Sequence, residues 1–183
     1  MSHRFVTLET VRLRLRRLRD DDLDALVGYR SDPAVLRYTP RSAFDADDAR
    51  RLIADMRDRE PGEVGTWFQI AVAERGTDRL IGDVGLRTDA TQPRTFEVGY
   101  TLAPAHHGRG YATEAVRAVL GLAFGELGAH RVLGNCDARN SASARVMERA
   151  GMRREAHHVE DWWSKGEWTS SFVYAVLARE WPR

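Results

Sequence analysis

Between a strand-like run from Glu97 to Leu102 and a helix-like run beginning near Tyr111 stands the stretch His106-His107-Gly108-Arg109-Gly110-Tyr111-Ala112-Thr113-Glu114-Ala115. No other segment restricts the fold as much. Two glycines flanking an arginine at a strand-to-helix junction let the backbone approach an anion with no Cβ in the way. Free N–H groups at the start of the helix, together with its dipole, favour a phosphate there. A basic, glycine-punctuated phosphate cradle is the first property this chain displays.

The elements around the cradle follow from periodicity and punctuation. Val11 to Leu18 alternates and reads as a strand, with Arg12, Arg14 and Arg16 on a wet face opposite Val11, Leu13 and Leu15. Asp20-Asp21-Asp22 offers acidic N-capping for a helix carrying Leu23, Leu26 and Val27, which Pro33 closes. Asp45 caps a second helix with Ala49, Leu52, Ile53 and Met56 as its apolar stripe, ended by Pro61-Gly62. Trp67 to Ala73 and Leu80 to Leu86 pair around Gly76-Thr77-Asp78. Phe96 to Leu102 is the next strand, stopped by Pro104. A third helix carries Ala112, Val116, Val119 and Ala123. Arg131 to Asp137 is a strand, and Asn140 opens a fourth helix with Ala142, Val146, Met147 and Ala150, ending at Gly151 as the C′ residue. Met152 to Trp163 and Trp168 to Leu177 close the chain as a hairpin. The order β-α-α-β-β-β-α-β-α-β-β specifies an α+β or mixed α/β sheet.

Composition narrows the function. At 183 residues the chain is read as one domain spanning 1–183. Its 28 basic and 27 acidic residues are interspersed, which argues against a nucleic-acid partner. No apolar run is long enough for a membrane span, and no signal-peptide core is visible. A lone Cys136 suits a reducing cytoplasm and reads as a small buried hydrophobe. No metal is expected, because His157-His158 stands without further ligands at metal-binding spacing.

Three kinds of glycine-rich loop compete for the cradle. A P-loop needs a Gly-Lys-Ser/Thr ending, which is absent. A nicotinamide dinucleotide site would use Gly108, Gly110 and Asp137, but Thr113 occupies the third small position and too little chain follows Asp137 for a second nucleotide-binding half. The third reading rests on two blocks. The first is Glu97-Val98-Gly99-Tyr100-Thr101-Leu102, Pro104 and His107 to Ala115; the second is Asn140-Ser141-Ala142-Ser143 with Met147 and Ala150-Gly151-Met152. Together they closely resemble the GNAT superfamily of acyl-CoA-dependent N-acyltransferases. The Glu-x-Gly-Tyr strand and the Asn-x-x-Ser helix resemble the branch of ribosomal-protein N-terminal acetyltransferases (RimJ/RimL-like).

The resemblance implies a GNAT fold, with a splayed, mostly antiparallel sheet of about seven strands flanked by about four helices. It also implies a cytoplasmic N-acetyltransferase that moves an acetyl group from acetyl-CoA, its co-substrate, to a primary amine on a peptide N-terminus or a small molecule. The sheet would open between residues 97–102 and 131–137. The main chain near Tyr100, Thr101 and Leu102 would meet pantetheine, and His107, Gly108, Arg109, Gly110, Tyr111, Ala112 and Thr113 would meet the pyrophosphate. His107 departs from the family's usual Gln or Arg. Glu97 is the first candidate base and Glu160 the second; each also reads blandly, Glu97 as a strand-start partner of an arginine such as Arg94. The tyrosine that many relatives place seven residues after Asn140 is Met147 here, so Ser143 is the substitute proton donor. Asn140 contacts CoA or an ordered water, or simply caps its helix. Tyr38, Trp67, Trp162, Trp163 and Trp168 are candidate acceptor-pocket aromatics. A homodimer is among the partner expectations, and an acetyl-CoA-binding sensor without turnover is the alternative function.

Overall fold

The computed structural model describes residues 4–182. Eight strands form one sheet in the order β1-β2-β3-β4-β5-β6-β8-β7. They are β1 (Leu8–Glu9), β2 (Leu13–Arg16), β3 (Trp67–Glu74), β4 (Leu80–Thr88), β5 (Thr95–Leu102), β6 (Arg131–Asp137), β7 (Arg153–Ser164) and β8 (Glu167–Leu177). Five helices accompany them: α1 (Leu23–Arg30), α2 (Pro33–Leu36), α3 (Ala46–Arg57), α4 (Tyr111–Gly125) and α5 (Ser141–Arg149). All neighbouring strands pair antiparallel except β5 with β6. The expected mixed architecture is present, with one more strand and one more helix than the sequence pattern suggests.

Both additions are short. β1 pairs Leu8 and Glu9 with Leu15 and Arg14, a span too brief to show a period. α2 arises because Pro33 starts a helix where a stop was expected. Proline at the first helical position loses no hydrogen bond, and the Asp32 carboxylate caps the turn by accepting from Ala34 N at 2.8 Å. The Asp45 cap of α3 forms as expected, reciprocated by Asp48.

The acidic run behaves differently from its reading as a cap. Asp22 accepts no capping bond from α1; its carboxylate instead takes both terminal nitrogens of Arg16, at 2.8 and 2.9 Å, and the Arg19 N–H at 2.9 Å. Arg16 is therefore buried and Val11 is 85% exposed, the reverse of a simple alternation. A guanidinium enters a core only when its charge is paired and its donors are used.

β4 is buried along nearly its whole length, as a strand between two helix layers must be. α1 packs with α3, and α4 with α5. Asp83 of β4, fully buried, ties α1 to the sheet: it accepts from Arg30 at 2.6 and 3.0 Å, from Gln69 at 3.0 Å and from the Tyr29 hydroxyl.

Candidate active site

The site begins where β5 and β6 part. Their parallel ladder contains Thr95↔Arg131, Phe96↔Val132 and Glu97↔Leu133, and then stops. On its other edge β5 stays paired to β4 as far as Leu102, and β6 stays paired to β8 as far as Asp137. From Val98 onward the inner edge of β5 thus lacks a partner strand, and its alternate main-chain groups face an open seam. Gly134 stands at the parting point. A Cβ there would lie 2.9 Å from the Met147 sulfur and 3.3 Å from the Val98 carbonyl, so a side chain would crowd both α5 and the neighbouring strand where the two strands diverge.

Past Leu102 the chain makes a short 3₁₀ turn at Pro104–His106 and then the glycine loop. Gly108 and Gly110 adopt φ values of +74° and +80°, the left-handed region in which a side chain is strained. Gly110 is the N-cap of α4 and supplies no side-chain cap, and the first bond of the helix is Glu114 N to Gly110 O at 3.0 Å. The N–H groups of Tyr111, Ala112 and Thr113 precede that bond and are free to bind an anion.

Glu114 would repel an anion here, but its charge is matched. Arg12 holds the Glu114 carboxylate through Nε at 2.7 Å and through its own N–H at 2.9 Å, and Thr10 Oγ1 adds a bond at 2.7 Å. Burial alone would raise this carboxyl; those bonds outweigh it and hold it below the usual range. Arg12 Nη1 also donates to the Arg109 carbonyl at 2.8 Å and so pins the loop from outside.

A cavity of about 1140 Å³ joins the seam to the cradle. Of the expected cofactor contacts, Tyr100, Thr101, Leu102, His107, Gly108, Gly110, Tyr111, Ala112, Thr113, Asn140 and Ser143 line it, as does Glu97. Arg109 is absent from the wall and contributes its carbonyl to Arg12 instead. The His107 ring is bonded through Nε2 to the Leu102 carbonyl at 2.9 Å, so it braces the strand end.

Glu97 sits just inside the fork. Arg87 grips one carboxylate oxygen, and Asn135 Nδ2 donates to the other at 3.0 Å across the seam. An arginine partner was foreseen, but it is Arg87 from the adjacent strand; Arg94 donates to the Gly128 carbonyl at 2.6 Å. Ser143 lies at the seam as well. Tyr100 Oη is 2.8 Å from both the Ser143 carbonyl and Ser143 Oγ, which joins β5 to α5 across the gap. Burial drives the Tyr100 phenol well above its ordinary value, so it stays neutral. Beside them the Cys136 thiol is pushed up to about 11 by burial, against the opposing pull of the Ser143 hydroxyl. Asn140 caps α5, its Oδ1 accepting from Ser143 N at 3.1 Å. Met147 is buried, with no proton to give.

Glu160 is off the wall: it adopts φ +50° on an exposed bulge of β7. The next residue, Asp161, lines the cavity in its place. Tyr38, Trp67 and Trp162 line it too, whereas Trp163 and Trp168 stack edge-to-face on each other at 5.4 Å away from it. Asn135, Arg87 and Asp161 were not singled out from the sequence, since each acquires its role by pairing with, or being aimed by, a different strand. Among the described residues no group of three His, Cys, Asp or Glu side chains could hold a metal, and no helix is long and apolar enough to cross a membrane.

Residues 12–153 match the acetyltransferase (GNAT) domain family. An uncharacterized N-acetyltransferase of Bacillus subtilis, YnaD, is 32% identical over 174 residues, covering 95% of this chain and 98% of that protein. A GNAT-family acetyltransferase structure from Bacillus anthracis superposes with a TM-score of 0.85 at 28% identity, covering 95% of this chain and 99% of the other. The structure of Mycobacterium smegmatis RimJ in complex with CoA-disulfide shares the fold, with a TM-score of 0.80 at 19% identity over 93% of this chain and 84% of that one.

Proposed function

The chain belongs to the GNAT family of acetyl-CoA-dependent N-acyltransferases, and from that premise we propose that it acetylates a primary amine on a small molecule or a peptide N-terminus. The observation that carries this reading is the pairing of an unpartnered strand edge, Val98 to Leu102, with an uncapped helix start at Gly110. One offers main-chain groups to an amide-bearing arm, the other to a diphosphate. Family membership also displaces the nicotinamide reading of the glycine loop.

Within this proposal the main chain of Tyr100, Thr101 and Leu102 binds the pantetheine arm, and Gly108 to Thr113 bind the pyrophosphate with their amides. His107 serves by bracing Leu102. Glu97 takes the amine proton through water, held in place by Arg87 and Asn135. An α-amine, with a pKa of about 7.7–8.0 against about 10.4 for lysine, asks less of that base. Ser143 returns a proton to the departing thiolate, its hydroxyl positioned by Tyr100. Asn140 fixes the helix start that presents Ser143. Much of the rate comes from aligning two substrates in one cavity.

A thiol-release screen of acetyl-CoA against amines and N-terminal peptides tests this, beside thermal shift with acetyl-CoA and with NAD. Stabilisation by acetyl-CoA together with amine-dependent release of CoA supports the proposal; stabilisation by NAD alone overturns it. Met147 in the position where many relatives carry a tyrosine favours one second reading, a sensor that binds acetyl-CoA and releases no thiol with any amine.

A further inference from the structure

The charges on the cavity wall are unevenly paired. Four carboxylates line it: Glu97, Asp137, Asp161 and Glu167. Glu97 is held by Arg87, while Asp137 and Glu167 share Arg139. Asp161 has no cationic partner among the described residues. Its sole bond is from Ser171 Oγ to Oδ2 at 2.7 Å, which orients the group and leaves Oδ1 free.

Asp161 reaches the wall through an irregularity in β7. His158 pairs with Ser171 and Trp162 with Thr169, so Val159, Glu160 and Asp161 together face Ser170 alone. Glu160 absorbs the excess in the left-handed region at φ +50°, and Ser170 Oγ lies 3.0 Å from its N–H. A bulge of this kind re-aims a side chain, and a non-glycine residue held at positive φ marks a place where the surroundings enforce the shape. The residue it aims is a bare carboxylate, followed by the half-exposed indole of Trp162 on the same wall. A carboxylate and an aromatic ring lining one cavity are both able to attract an ammonium or guanidinium group.

Among the wall's other cations, Arg37 stacks over the Tyr38 ring at 5.2 Å and its charge is felt by Asp137. Arg145 and Arg149, with no acidic partner among the described residues, lie on α5 beside the seam, where an anionic cofactor is expected. On the hairpin side the ammonium of Lys165 donates to the Leu36 carbonyl at 2.6 Å, tying the β7–β8 turn to α2.

We infer that Asp161 is a specificity-determining residue that receives a second positive charge on the acceptor, so the preferred substrate is an amine carrying another cationic group. β7 lies two strands from β6, which puts the two charges on the order of 10 Å apart. The inference rests on the acetyl-transfer reading above.

The test uses the full chain, acetyl-CoA and thiol release. Linear diamines of increasing length are compared with monoamines of the same length, and a lysine-bearing dipeptide with a neutral one. The wild type favours the dicationic member by about tenfold in kcat/KM, the scale of one charge-assisted contact. Asp161→Asn abolishes that preference by raising KM for the dication, and Asp161→Glu restores part of it. A preference confined to diamines identifies a free small molecule as the source of the charge; one confined to dipeptides identifies a basic N-terminal segment. Amine turnover with no charge preference, or a preference that Asp161→Asn leaves intact, overturns the inference while acetyl transfer stands. Absence of turnover with every amine overturns both.

Discussion

Replacing Gly110 by alanine separates the cradle's geometry from its chemistry, because the change adds one methyl and removes no charge. Gly110 holds φ +80°, where an L-residue costs about 1–2 kcal/mol. The new Cβ would sit 3.4 Å from Arg12 Nη2, the far end of a flexible side chain, so crowding adds little. If the loop keeps its shape, the strain appears as lost folding stability. If it relaxes, the strain appears as weaker acetyl-CoA binding, because the binding shape must then be recovered at that cost. The two losses together amount to about 1–2 kcal/mol, equivalent to roughly 5- to 30-fold if all of it falls on Kd. Urea unfolding and calorimetric titration with acetyl-CoA measure both. Gly121→Ala is the matched control. It lies within α4, in a helical backbone with nothing within 4 Å of the added methyl. It gains roughly 0.5–1 kcal/mol in stability and leaves Kd alone. Should Gly110→Ala change neither quantity, or should the two substitutions act with the same sign, the left-handed cradle would not be what binds the anion.

Glu97→Gln keeps the Asn135 contact but removes the base, lowering kcat on the order of 10²-fold with little change in acetyl-CoA affinity; steady-state kinetics that show parallel losses in both would make Glu97 a purely structural residue. Ser143→Ala slows turnover on a similar scale while a crystal or thermal shift still shows cofactor bound; full activity would remove Ser143 as the proton donor. Asp83→Asn strands Arg30 beside a neutral amide in a buried site and costs about 3–5 kcal/mol by chemical denaturation, a loss that a value under 1 kcal/mol would contradict. Cys136, with its thiol near 11, is thiolate only to about 10⁻³ at pH 8, so iodoacetamide labels it far more slowly than a free thiol, and faster as pH rises toward 11. Labelling at the rate of a small thiol would show that partial burial does not raise the Cys136 thiol.

What the sequence determined alone is everything that depends on near neighbours along the chain. The cradle was legible because Gly108 and Gly110 carry their conformational freedom in their own identity, and the left-handed φ values follow. The Asp45 cap, the Gly151 terminus of α5 and the positions of β3 to β6 between their turn residues are likewise written within a few residues. The tertiary structure decided what those elements do to one another. Arg16 is buried because Asp22 and Asp78 surround it, and Glu97 faces Arg87 because β4 and β5 bring them opposite. Asp161 displaces Glu160 from the wall because Ser170 and Ser171 stabilise a bulge. Local propensity is felt over about one helical turn, whereas a charge or a carboxylate finds its partner across the sheet; only the closed fold brings such partners into hydrogen-bond reach.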